Sequence, residues 1–203
     1  MPQPIAAFDR LGTETAFEVL ARANALAAEG RSIINLGIGQ PDFRTPDHIV
    51  EAAKAALDRG EHGYTPAAGI PPLRAAVAAD LKRRHNVEVD PNSVLITPGA
   101  KPVMYFAITL LGEPGVEIMY PNPGFPIYES VINFTGATAV PIELHESKGF
   151  AFSADEVLAK VTDRTRLIIL NSPSNPTGGV VPVEEIAPTP APTTTTDAPE
   201  PSP

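Results

Sequence analysis

The chain between residues 94 and 170 alternates short apolar runs with helix-length segments, and this alternation constrains the fold more than any other feature. The apolar runs cover 94–97, 116–120, 137–144 and 166–170. Strands that are apolar along their whole length are buried on both faces, as happens when helices cover a parallel sheet from both sides. The pattern therefore predicts an α/β fold of three layers, with a mainly parallel sheet between helices.

Helical patterns lie between these strands and also before the first of them. Apolar residues recur three and four positions apart, and glycine or proline marks the segment ends, which is typical of amphipathic helices. The predicted helices cover 14–29, 47–58, 71–84, 102–111, 125–134 and 154–161.

By contrast, segment 187–203 has no large apolar side chain and no periodicity. It cannot bury enough apolar surface to offset the entropy lost on ordering, so we expect a disordered tail.

Charge and cysteine content exclude several functions. The net charge is −9, and the longest basic run is Lys82–Arg84, so we expect no nucleic-acid binding. The absence of cysteine excludes disulfides and thiolate metal sites, and no metal site is predicted. The sequence shows neither a signal-peptide pattern nor an apolar run long enough to span a membrane. These features predict a cytoplasmic protein.

The turn after the first strand is a candidate anion site. In TPGAKP the strand runs into a turn at Gly99, and Pro102 stands where a helix begins. Lys101, at the expected cap, offers no acceptor to the first amides, and its charge stands at the positive end of the helix dipole. Both features suit a bound phosphate. The alternative is a solvent-capped surface helix whose lysine has no function.

Three further loops carry aromatic and polar side chains. YPNPGFPIYES places Phe125 after one strand, NSPSNPTGG places Asn175 after another, and HGYTPAAGIPPLR carries Tyr64. Ligands of parallel sheets bind outside the carboxyl ends of the strands. Taken singly, Phe125 and Tyr64 would be core or loop aromatics, and Asn175 would be a turn residue.

Together these segments resemble the class I and II aminotransferases of PLP fold type I, the group of the aspartate, alanine and tyrosine aminotransferases. The resemblance runs from about residue 5 to residue 186. It implies pyridoxal 5'-phosphate (PLP) as cofactor, an amino acid and a 2-oxo acid as substrates, and a homodimer. It also implies that 1–45 form an N-terminal arm, a helix and part of a small domain, and that 46–186 form part of the PLP-binding large domain.

The resemblance implies a role for each matching residue. Backbone amides of Gly99, Ala100 and Lys101 would bind the cofactor phosphate. Phe125 would stack on the pyridine ring, and Asn175 would hydrogen-bond to the ring's 3-hydroxyl group.

Two more residues match the family in the N-terminal part of the chain. Tyr64 would reach the phosphate in the neighbouring subunit, and Gly39 would leave room for the substrate carboxylate. The Asn175–Pro176 bond resembles one that is cis in the family.

The motifs of the family's second half do not occur in the chain. There is no Ser-x-x-Lys around any of the five lysines, so the Schiff-base lysine is missing, as are the aspartate for the pyridine nitrogen and the carboxylate-binding arginine. Family-like sequence ends within 181–186, which we interpret as a truncated or frameshifted reading frame. We expect a catalytically incomplete chain. The alternative is a non-enzymatic product that pairs with a full-length relative or has no activity.

The strand order of the resembling fold adds a prediction. Strands 137–144, 116–120 and 166–170 should be neighbours in that order. Strand 94–97 should lie at the far edge, separated from 166–170 by three strands that the chain does not contain. A nucleotide-binding domain is a weaker alternative, because Asp42 stands where its phosphate loop needs a third glycine.

Overall fold

The structure is a computed structural model that describes residues 3, 5–12, 16–37 and 39–186. The predicted tail and the start of the first predicted helix lie outside these residues. Seven α-helices and three β-strands occur in the described part of the chain. Their bounds are α1 Ala16–Ala28, α2 Asp47–Asp58, α3 Pro71–His85, α4 Lys101–Leu111, β1 Glu117–Asn122, α5 Ile127–Thr135, β2 Thr138–Glu143, α6 Ala154–Leu158, β3 Thr165–Ile168 and α7 Val183–Ile186.

The chain divides into two compact units. The first contains the sheet and takes in the described residues of 1–13 and 104–203, and the second comprises the described residues of 14–103. The second unit contains α1, α2 and α3, and the division falls within α4, after Val103. The division into domains at residues 45 and 186 stays a prediction.

The sheet has the order β2-β1-β3, and both pairs of strands are parallel. This is the order expected for the three strands, and the predicted α/β fold with a parallel sheet is confirmed. The predicted strand 94–97 is wrong: no strand forms there, and Ile96 instead donates its backbone N–H to the carbonyl of Ala68 at 3.0 Å. A β-strand needs a neighbour for its ladder of hydrogen bonds, which a run of apolar residues cannot supply by itself.

Helices cover both faces of the sheet, so the three-layer prediction is also confirmed. On one face, Ile118 and Tyr120 of β1 form a buried cluster with Ile108 of α4 and Ile132 of α5. On the other face, Met119 packs in a second cluster. The other buried members of that cluster are Ile142, Leu144, Phe152, Val157 and Val181. Successive residues of β1 alternate between the two clusters, because side chains of a strand point to opposite faces.

A buried carboxylate stabilises the start of β1. Glu117 is 6% exposed and accepts hydrogen bonds from the Thr162 hydroxyl at 2.7 Å and from Arg164 Nε at 2.9 Å. These two partners, Thr162 first, lower the pKa of Glu117 below its usual range. The ionised form of Glu117 therefore stabilises the folded state.

We expect Glu117→Gln to reduce the pH dependence of stability. Because the folded-state pKa is depressed, the contribution is complete above the unfolded pKa of about 4.3 and is lost as pH falls through the folded value. In urea unfolding, the variant should therefore have a lower free energy of unfolding than the wild-type chain at pH 7, and this difference should shrink on acidification. Glu113→Gln, at an exposed position, is the control and should show no such trend. A deficit that is constant with pH would contradict the assignment.

Candidate functional site

The sheet places two of the candidate residues after the ends of neighbouring strands. β1 and β3 are parallel partners, so their carboxyl ends lie at the same edge of the sheet. Phe125 follows β1, and Asn175 follows β3. The structure therefore brings the two loops that carry these residues to one edge.

The Phe125 ring contacts buried residues of the first unit. It forms a T-shaped pair with the Tyr128 ring, with ring centroids 6.1 Å apart, and it packs against the cluster that contains Ile118. The predicted helix start at 125 is wrong: α5 begins at Ile127, which leaves Phe125 in the loop. Gly124 is required before it, because an added Cβ would lie 2.0 Å from the carbonyl oxygen of Pro121. The loop thus presents an apolar ring that is only half-buried.

The Asn175 loop is closed by backbone hydrogen bonds. Ser174 donates its N–H to Gly179 O at 2.8 Å, and Gly178 donates to Ser174 O at 2.7 Å. The Asn175–Pro176 bond is cis, as the family resemblance implied. The Asn175 side chain is exposed and makes no hydrogen bond with any residue that the structure describes. Its hydrogen-bonding capacity is therefore not used by the residues that the structure describes.

The candidate phosphate turn lies in the second unit. Gly99 has a φ of +86°, a conformation that favours glycine, and an added Cβ there would meet nothing within 4 Å. The Thr97 hydroxyl donates to Gly99 O at 2.6 Å. The helix was predicted to start after Lys101, but Lys101 is the first residue of α4, so its backbone belongs to the first turn. Its Nζ lies 5.8 Å from the centroid of the Phe17 ring. The open turn and the cation fit a phosphate group.

Tyr64 and Gly39 are both exposed in the second unit. An added Cβ at Gly39 would meet nothing within 4 Å. The candidate residues are thus distributed over both units, with Phe125 and Asn175 in the first and the other five in the second. Their assignment as one site stays a prediction.

A cavity of about 270 Å³ lies elsewhere, on the α6 side of the sheet. Three of its polar lining residues, His145, Glu156 and Lys160, are bonded to one another, to Lys148 or to the backbone. His145 and Lys148 contact the Glu156 carboxylate at 3.2 and 3.1 Å, and Lys160 donates to the carbonyl of Pro141 at 2.7 Å. Lys148 and then His145 lower the pKa of Glu156. These charged groups are thus already engaged with one another or with the backbone, and none of the candidate residues lines the cavity.

Sequence reasoning missed residues that support the Asn175 loop. Asn171 forms two hydrogen bonds when its side-chain amide is oriented to match its neighbours. Its oxygen accepts from the N–H of Asn175 at 3.0 Å, and its nitrogen donates to the carbonyl of Pro173 at 3.2 Å. Gly179 lies against a turn about thirty residues earlier in the chain, which no local pattern indicates. The second glycine of NPTGG is a sequence signal for this contact, because glycine allows two backbone segments to approach closely.

A parallel sheet with helices on both faces defines an α/β fold, and in this class of fold ligands bind outside the carboxyl ends of the strands. Residues 31–188 match the family described as Aminotransferase class I and II. The chain belongs to this family. Its fold is PLP fold type I, the fold of its aminotransferase neighbours, as the sequence predicted.

Relatives and solved structures give the same assignment. The chain is 41% identical to a probable aspartate/prephenate aminotransferase of Aquifex aeolicus, over 83% of this chain and 43% of that protein. It is 44% identical to a probable aspartate aminotransferase of Methanocaldococcus jannaschii, over 75% and 40% respectively. The structure of an aspartate aminotransferase from Thermus thermophilus with maleate matches with a TM-score of 0.86 and 33% identity, over 92% of this chain and 49% of that chain.

The chain thus spans somewhat less than half the length of the curated relatives that it matches. Among the described residues, no helix is both long and apolar enough to cross a membrane.

Proposed function

We propose that this chain carries part of the PLP site of an aminotransferase that transfers an amino group between an amino acid and a 2-oxo acid. The observation that carries the proposal is the Asn175 loop after β3, at the same sheet edge as Phe125 after β1. Family membership supports the assignment, and so do the relatives named as aspartate aminotransferases.

Each candidate residue has a binding task that its setting suits. The open turn at Gly99, with Ala100 and Lys101, would hold the phosphate at the start of α4. Phe125 would cover one face of the pyridine ring and exclude water from it. Asn175 would donate its free amide to the ring's 3-hydroxyl oxygen. When bound, PLP supplies the electron-accepting ring of transamination.

The remaining assignments concern the substrate and a second subunit. Gly39 would leave space at the substrate carboxylate, since no side chain occupies that position. Tyr64 is fully exposed, and we propose that it contacts the phosphate bound by a partner in a homodimer. We further propose a cytoplasmic location for the protein.

The 203-residue chain by itself should bind PLP without forming a covalent bond to it. None of its five lysines stands in a Ser-x-x-Lys motif, so we expect no transamination by this chain. Borohydride treatment followed by peptide mapping should find no lysine stoichiometrically linked to the cofactor. Stoichiometric labelling of one lysine would overturn this expectation.

Phe125→Ala should weaken PLP binding about five- to tenfold, because stacking on an aromatic ring contributes about 1 kcal/mol beyond burial. Equilibrium dialysis with PLP measures the change. Phe106→Ala is the matched control, since it removes an exposed phenylalanine of α4 that has no proposed contact with the cofactor. Equal losses in the two variants would count against a ring site at Phe125.

A further inference from the structure

The turn at Gly149 and Phe150 has an unusual backbone. Both residues have left-handed φ values, +63° and +60°, and Phe150 is one of two non-glycine residues with positive φ in the described part of the chain. A bulky side chain rarely adopts this conformation and retains it only where the surroundings enforce it. Phe150 donates its N–H to His145 O at 2.8 Å, and its side chain packs against the cluster that contains Met119. The turn is therefore held firmly in a costly conformation.

This turn lies directly against Gly179. A Cβ added to Gly179 would lie 2.6 Å from Gly149 O and 2.8 Å from both Phe150 Cβ and Phe150 O. Two of these three atoms belong to the backbone and cannot rotate away. The contact is thus closer than any residue with a side chain could make.

The chain on either side of Gly179 is attached to the same region. Toward the N-terminus, Gly179 O accepts from Ser174 N at 2.8 Å, which closes the loop that carries Asn175. Toward the C-terminus, Val181 is buried beside Phe152, and Glu185 accepts from Ala154 N at 2.6 Å. A displacement of Gly179 would therefore be passed to the loop through the Ser174 hydrogen bond.

We propose that the Gly149–Phe150 turn is a positioning element for Asn175, and that it acts through its contact with Gly179. The proposal rests on the function proposed above, because it concerns where Asn175 presents its amide to the cofactor. Neither Gly179 nor Phe150 touches the cofactor in this assignment. They determine the position of the loop that carries Asn175 relative to the carboxyl edge of the sheet.

The first test needs no cofactor. Gly179→Ala in the full 203-residue chain should shift the backbone amide resonances of Ser174, Asn175 and Gly178, while those of Ile118 and Met119 in β1 stay in place. Gly12→Ala is the matched control, because the added methyl group there meets only ordinary contacts, with Ser130 Cβ 3.7 Å away. Unchanged loop resonances in Gly179→Ala would overturn the proposal.

The second test uses PLP as the probe. A hydrogen bond donated by the Asn175 side-chain amide stabilises the ionised 3-hydroxyl group of PLP and so lowers the pKa of that group. The pH midpoint of the absorbance change should therefore be lower for bound PLP than for free PLP. Gly179→Ala should move the midpoint back toward the free value and weaken binding at least fivefold, whereas Gly12→Ala should do neither. A wild-type midpoint and affinity in Gly179→Ala would overturn the positioning role.

Two outcomes separate the proposed function from the positioning role of the turn. If the wild-type chain binds no PLP, the proposed function fails, and the amide resonances still decide whether the turn positions the loop. If Gly179→Ala does not fold, Gly149→Val replaces it, because a β-branched residue is strained at the φ of +63° and the substitution therefore displaces Gly149 O, which lies against Gly179. Gly149→Val should shift the same loop resonances, and their constancy would refute the proposal.

Discussion

Replacing Ile118 with alanine should lower the free energy of unfolding of the 203-residue chain by about 2–5 kcal/mol. Ile118 is 0% exposed and contributes to the buried cluster between β1, α4 and α5. The loss includes both the apolar surface no longer buried and the cavity left behind. Proteins of this kind have a total stability of about 5–15 kcal/mol, so a large share of it would be removed.

Urea unfolding followed by circular dichroism measures this effect. With a typical dependence of about 2 kcal/mol per molar urea, the midpoint should fall by about 1–2.5 M. Ile5→Ala is the matched control in the same unit, because the Ile5 side chain is 64% exposed and its loss should change stability by less than about 0.5 kcal/mol. Equal midpoints for the two variants would show that the cluster around Ile118 does not stabilise the fold.

The 203-residue chain should be marginally stable and should associate through the open edge of β3. Within the described residues, no strand pairs with the outer side of β3. The two edge strands of the sheet differ in their proline content. Pro141 in β2 opposes pairing with a further strand, because proline has no N–H to donate, whereas β3 and the two residues after it contain no proline. Leu170, just beyond β3, is 41% exposed. Unpaired backbone groups beside apolar side chains favour pairing with another chain.

Light scattering during heating tests this expectation. Scattering should rise with protein concentration, and Leu170→Lys should reduce it, because a charge at an edge opposes pairing. A matched Leu110→Lys variant, at an exposed position on α4, should reduce it less. Amides of 94–101 should exchange faster than those of β1. A reversible, cooperative melt of the monomer above about 60 °C would contradict the expectation.

Local sequence patterns were sufficient for most of the secondary structure and for the layers. The apolar strands and amphipathic helices follow from side-chain spacing, which acts over a few residues, and these elements formed within one to three residues of their predicted bounds in most cases. The order of the three strands, and the choice of Phe125 and Asn175, came from the family resemblance of whole segments. Periodicity alone indicated neither.

Tertiary structure decided the features that depend on distant partners. Residues 94–97 have the composition of a strand but no neighbour in the sheet, so no strand forms there. Phe150 takes a left-handed conformation, and Gly179, about thirty residues later, packs against it. No local propensity encodes such a contact, because its energy arises only when the surrounding core brings the two segments together. The sequence by itself determined which residues could serve the site, and packing across the sheet decided how the loop that carries Asn175 is held.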